Sequence, residues 1–392
     1  MTNLMSGVFK VVAVMAIVAC VAMLGGCAGG PKWNVGEGQL VYSSPDRQFT
    51  GVAVSERGRV FVNYPRWHEP YTNAVEEIKD GKPRAYPDAA WNSWKPGEDP
   101  SSKFVCVQSV HVDDMDRLWI LDPGSPQIAG VVPGAAKLVC VDLKTDRVER
   151  VYRFSDAIAP KSSYLNDVRV DTKRGYAYMT DSGMGGLVVL NLSSGEAKRV
   201  LSAHPVTLGE KGVVPVVQGV LTMINGTDPL VVNSDGIALS REGDLLYFQA
   251  LTARTLYRVQ TEYLRGAFSD EQVAQRVENL GRSVVTDGLE IDFRGQVYFS
   301  SLEQSAIVVR SLDGTTYTLA QSNALAWPDS FAWSRSGESL YVTTSRIHQS
   351  AWFDKAPRMK TLDEKQEPAP KRRGPFEVYV IPPEIFCGTT RP

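Results

Sequence analysis

The sequence predicts an all-β protein, a six-bladed β-propeller, on three observations. One phrase recurs six times: a small or acidic residue, a short apolar alternation, a polar turn, then an aromatic-rich apolar run. Further strand-like runs follow most copies, so each unit carries about four strands, the content of a propeller blade. No comparable helical periodicity intervenes, apart from "SDEQVAQRVENL" (Ser269–Leu280), which reads as a short helix.

The copies are "GVAVSERGRVFVN" from Gly51, "SVHVDDMDRLWILD" from Ser109 and "DVRVDTKRGYAYMTD" from Asp167, then "DGIALSREGDLLYFQ" from Asp235, "DGLEIDFRGQVYFS" from Asp287 and "DSFAWSRSGESLYVT" from Asp329. In each, alternation such as Val168 and Val170 marks a strand, the polar stretch a tight turn, and the β-branched and aromatic residues a second strand. Outer strands follow in "KLVCVDLKTDRVERVYRF" from Lys137, "GLVVLNLSSGEAKRV" from Gly186 and "AIVVRSLDGTTYTLA" from Ala306. The stretch Trp67–Trp94 reads as a long decorated loop of the first blade, a candidate lid. Six mutually dependent repeats argue for one closed domain over residues 38–392.

The N-terminus has a different character. "KVVAVMAIVACVAMLGGC" (Lys10–Cys27) is apolar but short of the roughly 20 residues a spanning helix needs, and suits a secretory signal. Leu24-Gly25-Gly26-Cys27 resembles a bacterial lipobox. Residues 1–26 are therefore expected to be removed, Cys27 to carry lipid, and residues 27–37 to form a tether. Ala28 after the lipid cysteine implies the outer membrane, so the mature protein is expected outside the cytoplasm, touching the membrane only through its lipid. Net charge of −2 makes no electrostatic case for nucleic acid, and the basic "PKRRG" (Pro370–Gly374) sits in a Pro-rich loop. Beyond Cys20 and Cys27, three cysteines remain: Cys106, Cys140 and Cys387. Cys106 and Cys140 either pair in an oxidising compartment or lie as buried thiols in "FVCV" and "LVCV".

Propeller geometry itself points to a site. The first strand of every blade lines the central axis, so equivalent repeat positions meet as a ring. The leading positions are Gly51, Ser109, Asp167, Asp235, Asp287 and Asp329. Carboxylates crowded in one narrow opening repel and raise one another's pKa unless a positive group sits among them. Such a ring suits a hard cation like Ca²⁺, with Asn166 and Ser109 adding neutral oxygens, or the amine of a ligand. Each aspartate alone also suits a structural role, accepting backbone N–H groups at a strand entry. His111 alternates with Ser109 on one strand face, a candidate base or ligand contact, and Trp327 is a candidate wall at the tunnel mouth. The remaining histidines show no triad or metal spacing.

Several segments resemble the major royal jelly protein/Yellow family: "GVAVSERGRVFVNYPRW" (Gly51–Trp67), "DRLWILDPG" (Asp116–Gly124), "SYLNDVRVDTKRGYAYMTDSGMGGLVVLNLSSGE" (Ser163–Glu196), Asp235–Leu264 and "GPFEVYVIP" (Gly374–Pro382). The resemblance implies a secreted six-bladed propeller, some members of which bind small amines in the tunnel, with dopachrome conversion credited to an insect branch. More distantly, the repeat heads resemble the gluconolactonase/senescence marker protein family and the paraoxonases. That resemblance implies calcium held by Asn166, Asp235 and Asp287, with Asp287 doubling as catalytic base. The first blade departs from it: "RQFTGVAV" offers Gln48 and Thr50 where those enzymes carry a glutamate. Two functions follow, with a protein-interaction platform in the envelope as a third. One is a lipid-anchored propeller binding a small, cationic molecule through Ser109, His111, Asp167, Asp329 and Trp327. The other is a calcium-dependent lactonase using the same axial site.

Overall fold

The computed structural model describes residues 39–359 and 374–381. The signal segment, Cys27, the tether and residues 370–373 lie outside the described residues. Strand β1 (Gln39–Ser44) precedes the first blade, which is built from β2 (Val52–Val54), β3 (Val60–Asn63), β4 (Val75–Lys79) and β5 (Lys82–Ala85). The second blade comprises β6 (Ser109–Val112), β7 (Arg117–Asp122), β8 (Lys137–Asp142) and β9 (Arg147–Arg153). In the third are β10 (Leu165–Asp171), β11 (Tyr176–Asp181), β12 (Leu187–Asn191) and β13 (Ala197–Val200). An insertion then forms two small hairpins, β14 (Val216–Val217) with β15 (Val220–Leu221) and β16 (Met223–Ile224) with β17 (Asp228–Pro229).

The fourth blade follows with β18 (Ser234–Leu239), β19 (Leu245–Ala250), β20 (Thr255–Gln260) and β21 (Glu278–Arg282). Its helices are α1 (Thr261–Arg265) and α2 (Asp270–Ala274), the latter opened by a Ser269–Gln272 capping box. The predicted helix over 269–280 is therefore one short turn that gives way to β21. The fifth blade holds β22 (Thr286–Ile291), β23 (Val297–Ser301), β24 (Ala306–Arg310) and β25 (Thr316–Gln321). The sixth has β26 (Pro328–Trp333), β27 (Leu340–Thr344) and β28 (Phe376–Ile381), and takes β1 as its outermost strand. Pairing of β1 with β28 thus ties the two ends of the chain into one ring. The Trp67–Trp94 stretch is not simply a loop, since it contains the outer strands β4 and β5 of the first blade.

Six all-β units arise because each repeat buries its apolar alternation only against a neighbour. One hydrophobic cluster sits at every blade interface, such as Phe61 with Leu118 and Ile120 between the first two blades, or Phe331 with Tyr298 and Ile307 between the last two. The hairpin turns between first and second strands start at Ser55, Asp113, Asp171, Ser240, Asp292 and Ser334. In each, a side-chain oxygen accepts the turn's backbone N–H groups. Cys106 and Cys140 are separate buried thiols. No helix among the described residues is long and apolar enough to cross a membrane.

The inner strands β2, β6, β10, β18, β22 and β26 contact one another around the axis. At their heads the register slips in β10, β18, β22 and β26, so a bulge places Asp167, Asp235, Asp287 and Asp329 out of the ladder. In three of these bulges a hydroxyl on the second strand satisfies the loosened backbone. Thr180 accepts from Asp167 N and donates to Asp235 O of the next blade. Ser300 accepts from Asp287 N and Gly288 N. Thr343 accepts from Ser330 N at 2.9 Å and donates to Thr50 O at 2.6 Å, joining the sixth blade to the first. Thr343→Val keeps the shape but strips the Ser330 N–H and the buried Thr50 carbonyl of their shared partner, and is expected to cost roughly 1–3 kcal/mol of unfolding free energy. Urea denaturation of the folded domain measures it.

Candidate functional site

Asp235, Asp287 and Asp329 are 3%, 7% and 4% exposed, and no arginine or lysine pairs with any of them among the described residues. They converge because adjacent inner strands approach closely at their heads: a Cβ on Gly236 would lie 2.5 Å from Asp287 O, and one on Gly288 would collide with Asp329 O. The first blade contributes no carboxylate, since a side chain at Gly51 would collide with Asn63 Oδ1. Asn63 instead donates to Thr50 Oγ1 and Val107 O, bridging to the second blade.

Burial is the main force on these acids, with mutual repulsion added. Asp235 is pushed well above the carboxylate range by desolvation, then by the charges of Asp287, Asp167 and Asp329. Protonated, it donates a hydrogen bond to Asp287. Burial pushes Asp287 up to about 7, opposed by the indole N–H of Trp327, which donates to Asp287 Oδ2 at 2.6 Å. Asp329 is held well above its usual range by burial and the Asp287 charge. Asp167 is raised less far, because Arg169 and the Ser109 hydroxyl offset its desolvation.

Two hollows meet this cluster. The larger, about 810 Å³, has Asn166, Asp235 and Asp287 among its lining residues together with Trp327. Gln108, Ser125 and Ser163 give it a polar side, and Leu230, Val231, Ile347, Trp352 and Phe353 an apolar one. Tyr164 accepts from Trp67 Nε1 at 2.8 Å and donates to Gln108 Oε1 at 2.9 Å, fixing three lining residues together. The smaller hollow, about 150 Å³, is a section of the central tunnel lined by Ser109, His111, Asp167, Arg169, Glu290 and Ser330. Arg169 crosses the axis there, donating to Leu289 O and lying 4.0 Å from Asp167 and 3.5 Å from Glu290.

The predicted ring residues are thus brought to one axis but divided. Asn166, Asp235, Asp287 and Trp327 line the large cavity; Ser109, His111 and Asp167 line the tunnel section; Asp329 packs between neighbouring heads and lines neither hollow. Desolvation lowers His111 to about 3, with the Arg169 charge adding to it, so it is neutral at ordinary pH. His348, also lowered to about 3 by burial, stacks on Trp327 at 6.0 Å. Trp327 holds a left-handed backbone (φ 54) that turns its indole onto Asp287. Gln108 and Tyr164 were not among the predicted site residues, although each lies within three positions of a repeat head.

A calcium ion here would draw on Asn166, Asp235 and Asp287. It takes about six to eight oxygens, and one oxygen of Asp287 already accepts the Trp327 N–H. Gln48 turns away to donate to Ser345 O at 2.6 Å. Among the described residues no group of three or more His, Cys, Asp or Glu side chains is arranged to hold an ion. As placed, this donor set does not fit calcium.

The sequence profile of the major royal jelly protein family matches residues 105–351. The chain belongs to the major royal jelly protein family. Among curated relatives, this family member is 27% identical to protein yellow of Drosophila melanogaster over 225 residues, 53% of this chain and 40% of that one. It is 26% identical to dopaminechrome tautomerase of the same fly over 155 residues, 36% of this chain and 33% of that one. The chain spans about 40% of the length of the yellow protein. Among solved structures, a gluconolactonase from Xanthomonas campestris superposes with a TM-score of 0.50 at 13% identity, covering 78% of this chain and 85% of its own. A calcium-binding regucalcin from Agrobacterium tumefaciens gives 0.50 at 14% identity, covering 80% and 88%. These two likenesses show the propeller fold.

The raised acids give the royal jelly family member a pH-dependent stability. A carboxyl whose folded pKa lies above its unfolded value stabilises the fold below the unfolded pKa and loses that contribution as pH rises through the folded pKa. The two histidines act oppositely, their contribution being present above about 6.5 and lost as pH falls towards 3. Asp235→Asn isolates the acid effect. The variant is expected to be more stable than wild type at pH 8, by on the order of 1–3 kcal/mol, with the difference shrinking towards pH 5. Thermal unfolding across that range measures it.

Proposed function

We propose that the large cavity binds a small organic cation with an apolar body, its positive group seated on Asp235 and Asp287. One observation carries the reading: a pair of buried carboxylates with no protein cation beside it forms the polar end of a cavity whose other side is apolar and aromatic. Sites for small molecules combine apolar walls with a few convergent polar groups in this way. A bound ammonium group would offset the burial that raises both acids by supplying an opposite charge beside them. Protonation competes with that ligand, so affinity falls as pH drops through 7.

Isothermal titration with phenethylammonium at pH 8 tests the reading. Binding is expected in wild type, weaker by roughly 10- to 100-fold in Asp287→Asn, and weaker at pH 5.5 than at pH 8. No binding at pH 8, or binding indifferent to Asp287, overturns it. Binding of calcium in place of the amine, lost in Asp235→Ala and Asp287→Ala, favours the metal-dependent lactonase instead.

A second reading is favoured by Asp287 itself. A carboxyl near 7, hydrogen-bonded to a protonated neighbour, is suited to take a proton from one substrate atom and return it to another. A relative bears the name dopaminechrome tautomerase, and proton transfer of that class requires such a group. Turnover of an enolisable amine substrate, lost in Asp287→Asn even at concentrations that saturate the variant, separates this reading from binding alone.

We also propose that the mature chain is lipid-tethered outside the cytoplasm through Cys27. Cys27→Ser is expected to abolish labelling by radioactive palmitate and to shift the protein from the membrane fraction. Unchanged labelling overturns the assignment.

A further inference from the structure

We propose that Ile128 is a specificity-determining lip of the large cavity, selecting ligands whose apolar body extends from the acid pair to the rim. The inference rests on the small-molecule reading of that cavity and names the part of the ligand the acids do not read.

Ile128 lies in the loop between β7 and β8 and lines the cavity. Its backbone is left-handed, φ 55, directly after Gln127 at φ 57. For a β-branched residue this region is a genuine outlier, and bulky residues held there cluster at functional sites. The loop imposes the conformation through backbone bonds: Gln127 N donates to Arg66 O at 2.7 Å, Ile128 N to Ser125 O and Ala129 N to Pro126 O. Gly130 N adds a bond to Ser125 Oγ. Glycine or asparagine would take this backbone at lower cost.

The isoleucine side chain gains nothing from the core, being 51% exposed and absent from the hydrophobic clusters. Val231, on the insertion before the fourth blade, is 66% exposed and lines the same cavity. Two loops from separate blades thus each hold an aliphatic side chain half or more in water where they line the cavity, while the acids lining it are nearly dry. An apolar ligand body spanning the cavity would cover both. Trp327, the indole donor to Asp287, is also left-handed, so bulky residues in strained backbone stand at the rim and at the acid pair of one cavity.

The test compares Ile128→Asn, which suits the left-handed backbone, and Ile128→Leu, which restores the apolar surface. Calorimetry uses three probes: methylammonium, 4-phenylbutylammonium and neutral 4-phenylbutanol. Ile128→Asn is expected to weaken 4-phenylbutylammonium about 5-fold or more, to leave methylammonium unchanged and to keep or raise the thermal midpoint; Ile128→Leu regains most of the loss. Equal effects on both amines, or none on the long one, overturn the lip. If wild type binds neither amine but binds 4-phenylbutanol, the cation reading falls, and the lip stands or falls on whether Ile128→Asn weakens the alcohol. Failure of wild type to bind any of the three overturns the lip as well.

Discussion

The pairing of β1 with β28 is the interaction on which the rest depends. It joins the first described strand to the last and turns six sheets, each stable only against its neighbours, into a ring without a free end. Closure fixes the distance from every inner strand to the axis. It therefore also forces the heads of β10, β18, β22 and β26 together, although each carries an aspartate that repels the others. The six interblade cores, from Phe61 and Leu118 round to Tyr42 and Val378, hold that arrangement against its own charge.

Whether an aspartate is structural or chemically available depends here on who satisfies the nearby N–H groups. Asp122 accepts from Val105 N, Cys106 N and Gly124 N and pairs with Lys137; Asp181 accepts from Tyr164 N and Gly183 N and pairs with Arg199. Those side chains are spent on loops. At the axial heads, Thr180, Ser300 and Thr343 take over that work, so the aspartates beside them keep their carboxylates for other partners. A hydroxyl on one strand thereby frees an acid on the next.

The cavity is asymmetric because the blades are decorated unevenly. The insertion carrying β14 to β17 and the segment from Ile347 to Phe353 supply most of the apolar side, while loops of the second and third blades supply most of the polar one. Trp352 packs on Trp67 across that divide, and His348 braces Trp327 from behind. The barrel of inner strands sets where charge collects. The loops set what shape can reach it.

The repeat phrase made the fold legible, since period-two alternation and turn chemistry are local and survive in any sequence window. The axial aspartates were legible too, because equivalent positions of a closed repeat must meet. What the sequence could not hold was the outcome of contacts between distant residues. Burial raises all four acids, but only the packed structure pairs Asp235 with Asp287, gives Asp287 the Trp327 N–H, and leaves Ser109, His111 and Asp167 in a separate hollow with Arg169 across it. The stretch after Trp67 looked like a loop because "VEEIKDGKPRA" lacks the apolar content of the other outer strands; ladder pairing with β3 makes it one. Local pattern determined the blades and the identity of the ring. Long-range geometry, through desolvation and hydrogen-bond partners no single segment contains, decided which members of that ring face a ligand.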